Sequence, residues 1–158
     1  VIGGELSLVI KDLLDNVLTN QRLVIIDGDS TAYDAAVTML KHKCGALLVC
    51  EKIKNGSLIG IITERDLTFR VIPKDLDPKK TKVNKIMTKN PDTIKPEKTT
   101  IDAIKIMKSK GYRHLPVVHK KEIIGILSMR DLYDAHAELL QDSLKKHQEF
   151  MFGTGYGT

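Results

Sequence analysis

The chain has 158 residues, an apolar share of 42% and a formal charge of +5. A chain of that length buries roughly 70% of its unfolded surface, enough for one ordinary domain or two very small ones without staples. The apolar share excludes disorder, no run approaches the ~18 apolar residues of a membrane span, and Cys44 and Cys50 lack the spacing of a disulfide framework or zinc site. With no Trp, 3 Phe and 4 Tyr, the core must be aliphatic. Two unpaired cysteines read as a reducing, intracellular setting, and the cytoplasm is expected. Residues 1–4 carry neither the basic start nor the apolar run of a signal peptide, and the missing initiator Met reads as a cut from a longer chain.

In chain order, Leu6, Val9, Ile10, Leu13 and Leu14 form an apolar stripe that predicts a helix over 6–17. Residues 23–26 read as a strand. Thr31 is an N-cap with Asp34 three residues later, and the helix it opens carries Tyr33, Ala36, Val37 and Leu40 at helical spacing. Strands over 46–50 and 58–62 flank a hairpin turn at Asn55-Gly56. Thr63 opens the next helix, and 73–82 is a linker. The series then recurs: a strand over 92–94, a Thr99 cap with Asp102, and a helix bearing Ile101, Ile104 and Met107. Strands over 114–118 and 123–127 follow around Lys120-Lys121, and a helix opens at Ser128 and runs from Met129 through about residue 146. Residues 153–158 are a weakly ordered tail.

The recurrence is an internal repeat. Shifted by 68 residues, 23–49 lies on 91–117 without a gap, matching Ile26 to Ile94, Thr31 to Thr99, Met39 to Met107 and Val49 to Val117. Beyond the hairpin the offset is 65, and the run from Ile59 to Leu67 matches that from Ile124 to Leu132. The order β-α-β-β-α, twice, predicts an α+β fold whose halves are each too small for a good core and must share one. Charge divides unevenly: residues 1–72 hold 8 basic and 9 acidic side chains, residues 73–158 hold 17 and 11. Much of the excess is a lysine-rich stretch over 74–98, a solvated linker or a surface for nucleic acid or phosphate.

The paired ends Gly60-Ile-Ile-Thr63-Glu-Arg-Asp66 and Gly125-Ile-Leu-Ser128-Met-Arg-Asp131 resemble a tandem pair of CBS domains, the family of cystathionine β-synthase, also called a Bateman module. The strand Arg113-His-Leu-Pro-Val117 and the run Val83-Asn-Lys-Ile-Met-Thr88 support the resemblance, which covers roughly residues 6–140. It divides the chain into a first domain over 6–72, the linker 73–82, a second domain over 83–140 and a terminal segment 141–158. It implies two intertwined copies with two-fold pseudosymmetry and two clefts for an adenosine-type ligand. It also implies a disc-like homodimer and a regulated partner or attached domain. The segment from Thr63 to Ile72 is further similar to CBS pairs in multidomain eukaryotic proteins that carry a PB1 interaction domain.

The residues at the repeat ends suit a nucleotide. Thr63 and Ser128 end a strand and open a helix, whose first N–H groups attract anions. Asp66 and Asp131 can accept two hydrogen bonds from a ribose diol, the role the family gives this aspartate, and Arg65 and Arg130 can fork onto a phosphate. The plainer alternative makes Thr63 and Ser128 N-caps, with Asp66 and Asp131 serving the same helix ends. Adenine needs an apolar slot, built from Thr93, Ile94, Arg113, His114 and Pro116 in the second copy and from Ile25, Ala46 and Leu48 in the first. With so few aromatic residues, its walls should be aliphatic rather than stacked rings. The second copy keeps His114 and Pro116 and the first keeps the fuller Thr-x-x-Asp motif, so the two clefts are not ranked. His114 itself reads equally as a packing histidine.

No catalytic, metal or phosphate-loop motif occurs, and the five histidines are scattered. The leading expectation is a non-enzymatic regulatory and energy-sensing module binding AMP, ADP, ATP or S-adenosylmethionine, with no metal and no membrane. The alternatives are a nucleic-acid-binding module acting through 74–98, and a structural dimerisation module with empty clefts.

Overall fold

The computed structural model describes residues 7–17, 23–51 and 57–152. Leu6, the Asn55-Gly56 turn and the 153–158 tail lie outside the described residues. The fold is mixed α+β. Helix α1 (Ile10–Val17) precedes the first copy, which comprises β1 (Ile25–Asp27), α2 (Ala32–His42), β2 (Ala46–Cys50), β3 (Leu58–Thr63) and α3 (Glu64–Arg70). A 3-10 turn (Ile72–Lys74), the short α4 (Val83–Ile86) and β4 (Thr88–Lys89) lead into the second copy. That copy comprises α5 (Thr100–Lys110), β5 (His114–His119), β6 (Glu122–Ser128) and α6 (Met129–Phe152).

The first sheet runs β1-β2-β3-β4, with β1 parallel to β2 and the remaining pairs antiparallel. In the second copy β5 and β6 pair antiparallel. Both hairpins shift register at the same repeat position, Val49/Cys50 and Val117/Val118. The strand expected over 92–94 shrinks to a single parallel bridge between Ile94 and Val117, because Pro91 and Pro96 bracket the segment and limit its ladder. The caps form as the sequence predicts: Asp34 N donates to Thr31 Oγ1 at 3.1 Å and Thr31 N to Asp34 Oδ2 at 2.9 Å. Thr99 and Asp102 repeat the box at 3.1 and 3.2 Å. Lys120 and Lys121 both take positive φ, 47° and 71°, the left-handed pair of a tight hairpin turn.

Packing units do not coincide with sequence units. One core gathers Ile94, Ala103, Met107, Leu115, Val117, Leu127 and Leu132 of the second copy around Ile10, Leu13 and Leu14 of α1. The other gathers Ile26, Ala32, Ala35, Met39, Leu47, Val49 and Ile62 of the first copy around Val83, Ile86 and Met87. Each copy therefore completes its core with the segment that leads into the other. The exchange is pinned by equivalent backbone bonds. Ile10 N donates to Lys98 O and Thr100 N to Leu8 O, both at 2.8 Å; Val83 N donates to Ser30 O and Ala32 N to Thr81 O, also at 2.8 Å. The N-terminal helix, grouped by sequence with 6–72, belongs by packing to the second copy, and α4 belongs to the first.

The apolar stripe of α2 is reversed. Tyr33, Val37 and Leu40 are exposed, Leu40 by 80%, and Ala36 is exposed with them, while Ala32, Ala35 and Met39 face the core. Small residues bring the helix close to the sheet, and the bulkier stripe is left outside. Helix α6 also runs further than expected, to Phe152.

Glycines mark where the exchanged segments press on the sheets. A Cβ at Gly60 would stand 2.9 Å from the Thr88 carbonyl and against Met87 Sδ; one at Gly125 would stand 2.7 Å from Leu14 Cδ2. Gly60→Ala is expected to lower the unfolding free energy by about 1–3 kcal/mol. Gly125→Ala should cost less, since a leucine tip can swing and a backbone carbonyl cannot. Urea unfolding of the two variants measures both.

Candidate functional site

A cavity of about 370 Å³ opens between the copies, lined by Thr63, Arg65, Asp66, Phe69 and Arg70 on the first and by Lys110, Tyr112, Arg113 and His114 on the second, with Ile61, Thr88 and Asp92 among its other walls. That volume lies in the range of small-molecule sites. The repeat end and the strand that the sequence placed in separate clefts thus face one another. The fuller Thr-x-x-Asp motif and the His114 strand therefore line one cavity.

Asp66 is 8% exposed. Its Oδ2 accepts from Thr63 N at 2.8 Å and Thr63 Oγ1 at 3.1 Å, so the capping role is real. Its Oδ1 faces Arg70 Nε at 3.4 Å. Arg70 Nη1 in turn donates to the carbonyls of Ile86 at 2.7 Å and Met87 at 3.0 Å. One guanidinium therefore ties the cavity carboxylate to the end of α4. With α3 only two turns long and its first turn engaged by Asp66, the anion attraction here comes from side chains: Arg65, Arg70, Lys110 and Arg113 against Glu64, Asp66 and Asp92.

His114 begins β5 with its Nδ1 buried and lacking a hydrogen-bond partner. Burial pushes its imidazole below the ordinary histidine pKa; Glu64 and Asp131 pull it back up, and Arg113 lowers it further. Tyr112 Oη donates to Asp92 Oδ2 at 2.9 Å, and this bond raises the phenol's pKa. Arg65 lies 5.7 Å over the Phe69 ring.

Of the residues read from sequence, Thr63, Arg65, Asp66, Arg113 and His114 line this cavity. Ile25 and Leu48 pair across β1 and β2, with Leu48 and Ala46 buried in the sheet. Ile94 is buried in the second core, Pro116 is buried in β5, and Thr93 is exposed. Ser128 and Asp131 cap α6, Ser128 Oγ donating to Asp131 Oδ2 at 2.6 Å, and Arg130 is exposed with Asp134 at 3.9 Å. None of these nine lines the cavity.

The sequence reading missed Phe69, Arg70, Lys110 and Tyr112, and two of these are rings where aliphatic walls were expected. A signal existed in the repeat. At the offsets already found, Arg70 aligns with Ala135, Phe69 with Asp134, Arg113 with Gly45 and His114 with Ala46. The copies therefore differ at Arg70 and Arg113, two of the four cations of this cavity, and at its imidazole, while Arg65 and Asp66 recur as Arg130 and Asp131. The lysines over 74–98 are all exposed, and none lines it. Lys82 pairs with Asp29 at 2.9 Å, and Lys79 lies 5.2 Å over the Tyr33 ring, so the linker is tied to the first copy.

The sequence profile of the CBS domain matches residues 10–72 and 83–138. The mitochondrial CBS domain-containing protein CBSX3 of Arabidopsis thaliana is 35% identical over 130 residues, 81% of this chain and 63% of that protein. CBSCBSPB1 of the same plant is 35% identical over 75% of this chain, which spans only 22% of its length. A 17.7 kDa protein of Acidianus ambivalens is 31% identical over 87% of this chain and 82% of its own. Among solved structures, a CBS-domain protein of Agrobacterium tumefaciens superposes with a TM-score of 0.74 at 33% identity, over 81% of this chain and 98% of that one. A CBS domain protein of Pyrobaculum aerophilum complexed with AMP shares the fold, with a TM-score of 0.72 at 23% identity over 85% of this chain and 99% of that one. Among the described residues no helix is long and apolar enough to cross a membrane. Two profile matches spanning most of the chain, on two repeats that complete each other's cores, establish that it belongs to the CBS domain family as a tandem pair, a regulatory module.

Proposed function

We propose that the cavity between the copies binds a phosphorylated adenine nucleotide, and that the module is non-catalytic and reports occupancy to a partner or attached domain. The observation that carries this is the convergence, in one space, of the Asp66 carboxylate, four cationic side chains and the unpartnered Nδ1 of His114. Asp66 suits a ribose diol, and the guanidinium and ammonium groups suit phosphate. The same cations disfavour the sulfonium of S-adenosylmethionine, so AMP, ADP or ATP is preferred to it. An AMP complex in the Pyrobaculum aerophilum relative supports the ligand class. The exposed stripe of Tyr33, Val37 and Leu40 supports a homodimer. The two free thiols, Cys50 buried, support a reducing compartment such as the cytoplasm.

Calorimetric titration tests the ligand. AMP or ATP should give saturable heat, S-adenosylmethionine should bind at least tenfold more weakly, and Asp66→Ala should weaken AMP by at least tenfold. No heat from any of the nucleotides, in wild type and variant alike, would remove the proposal.

The link from Asp66 through Arg70 to α4 gives a second expectation. Arg70→Ala should cost roughly 1–2 kcal/mol for its charge-assisted bonds. It should also speed hydrogen exchange over 83–87, whereas unchanged exchange there would show that Arg70 does not hold the segment.

His114 supplies a pH signature. Its folded pKa is depressed, so the unfolded chain takes up the proton first. Stability contributed by the neutral ring is full above about pH 6.5 and falls as pH drops through the depressed value. His114→Gln should flatten that part of the stability–pH curve, measured by urea unfolding between pH 7.5 and 5.

A further inference from the structure

Helix α6 carries two apolar faces. One is covered: Leu132 and Ala135 are buried in the second core. The other is not. Tyr133 is 74% exposed, Leu140 51%, Leu144 63% and Met151 61%. At 100° per residue these four side chains fall within an arc of about 40°. Ala137 and His147 complete a 4-3-4-3-4 spacing from Tyr133 to Met151, the 3.5-residue period of a coiled-coil seam. The acidic and lysine side chains Asp134, Glu138, Asp142, Lys145, Lys146 and Glu149 all lie at least about 100° from the middle of the seam, and His136, about 60° off, is engaged by Thr100 Oγ1 at 2.9 Å.

Residues 140–151 are all exposed. A helical segment that short is marginal in water unless an apolar face is covered.

We infer that this seam docks onto the same seam of a second copy of the chain, forming a short two-stranded coiled coil. Three arguments select that occupant. Partner choice in coiled coils is set by charges flanking the seam, and from residue 140 onward the flanking positions are Gln141, Ser143, Gln148 and Phe150. Such flanks hold no code for choosing a foreign helix and no like charges to repel an identical one. The seam is self-complementary, as a two-fold interface requires. Four large side chains of these exposures contribute roughly 1,000 Å² for a pair of copies, the threshold of a specific interface. His147, within an otherwise apolar seam, is a polar position of the kind that fixes register.

This contact rests on no nucleotide and adds to the homodimer proposed above; a dimer that forms without it leaves that reading standing and removes this one. The test uses the full chain. Leu144→Cys, treated with a short bismaleimide, should give covalent dimers in high yield, while Lys146→Cys on the opposite side and the wild-type chain should not. Leu140→Glu/Leu144→Glu, two substitutions at exposed sites, should raise the dimer dissociation constant at least tenfold by light scattering across a dilution series. Crosslinking of Leu144→Cys no greater than of Lys146→Cys, or association unchanged in the double variant, overturns the inference.

Discussion

The structure depends on one exchange: each copy's core is closed by the segment that leads into the other copy. Ile10, Leu13 and Leu14 fill the second core and Val83, Ile86 and Met87 fill the first. A β-α-β-β-α unit of this size buries too little apolar surface to be stable alone. Borrowing a helix supplies the missing layer, and reciprocal borrowing makes the two halves one cooperative body. Gly60 and Gly125 record the closeness of the approach, each lying where the borrowed segment meets the hairpin.

The cavity follows from the same exchange. Interlocked copies face each other across their repeat ends, so Thr63 and Asp66 of one meet Arg113 and His114 of the other. Duplication would make two such clefts alike, but the chain has diverged. At the second equivalent set Arg65 and Asp66 recur as Arg130 and Asp131 and Lys110 becomes His42, but Arg70, Phe69, Arg113 and His114 become Ala135, Asp134, Gly45 and Ala46. Arg70, Arg113 and the unpartnered ring nitrogen of His114 therefore set one cleft apart from the other. Arg70, which has no counterpart in the other copy, also joins that cleft to the stretch between the copies.

Much of the fold was legible because capping and repetition are local signals. The Thr31 and Thr99 boxes, the hairpins and the helix at Ser128 stand close to where the residues put them. The exchange was not legible from composition, although an echo exists: Ile10, Leu13 and Leu14 are spaced as Val83, Ile86 and Met87 are, with a third offset of 73 that a search at 68 and 65 does not reach. The α2 stripe misled because periodicity shows that a helix has an apolar face, not which of two apolar lines meets the sheet. Ala32, Ala35 and Met39 won through close approach. At the site, Asp66 and His114 could be picked out one by one, but not that they face each other, since pairing across copies is a property of the packed whole.

The central claim is that a nucleotide bridges the two copies, with its ribose on the first and its phosphate among cations from both. Hydrogen exchange with and without AMP tests it most directly. The account predicts simultaneous protection of the segments 63–70 and 110–116. Protection confined to one of the two, or protection centred on 128–135, would contradict it.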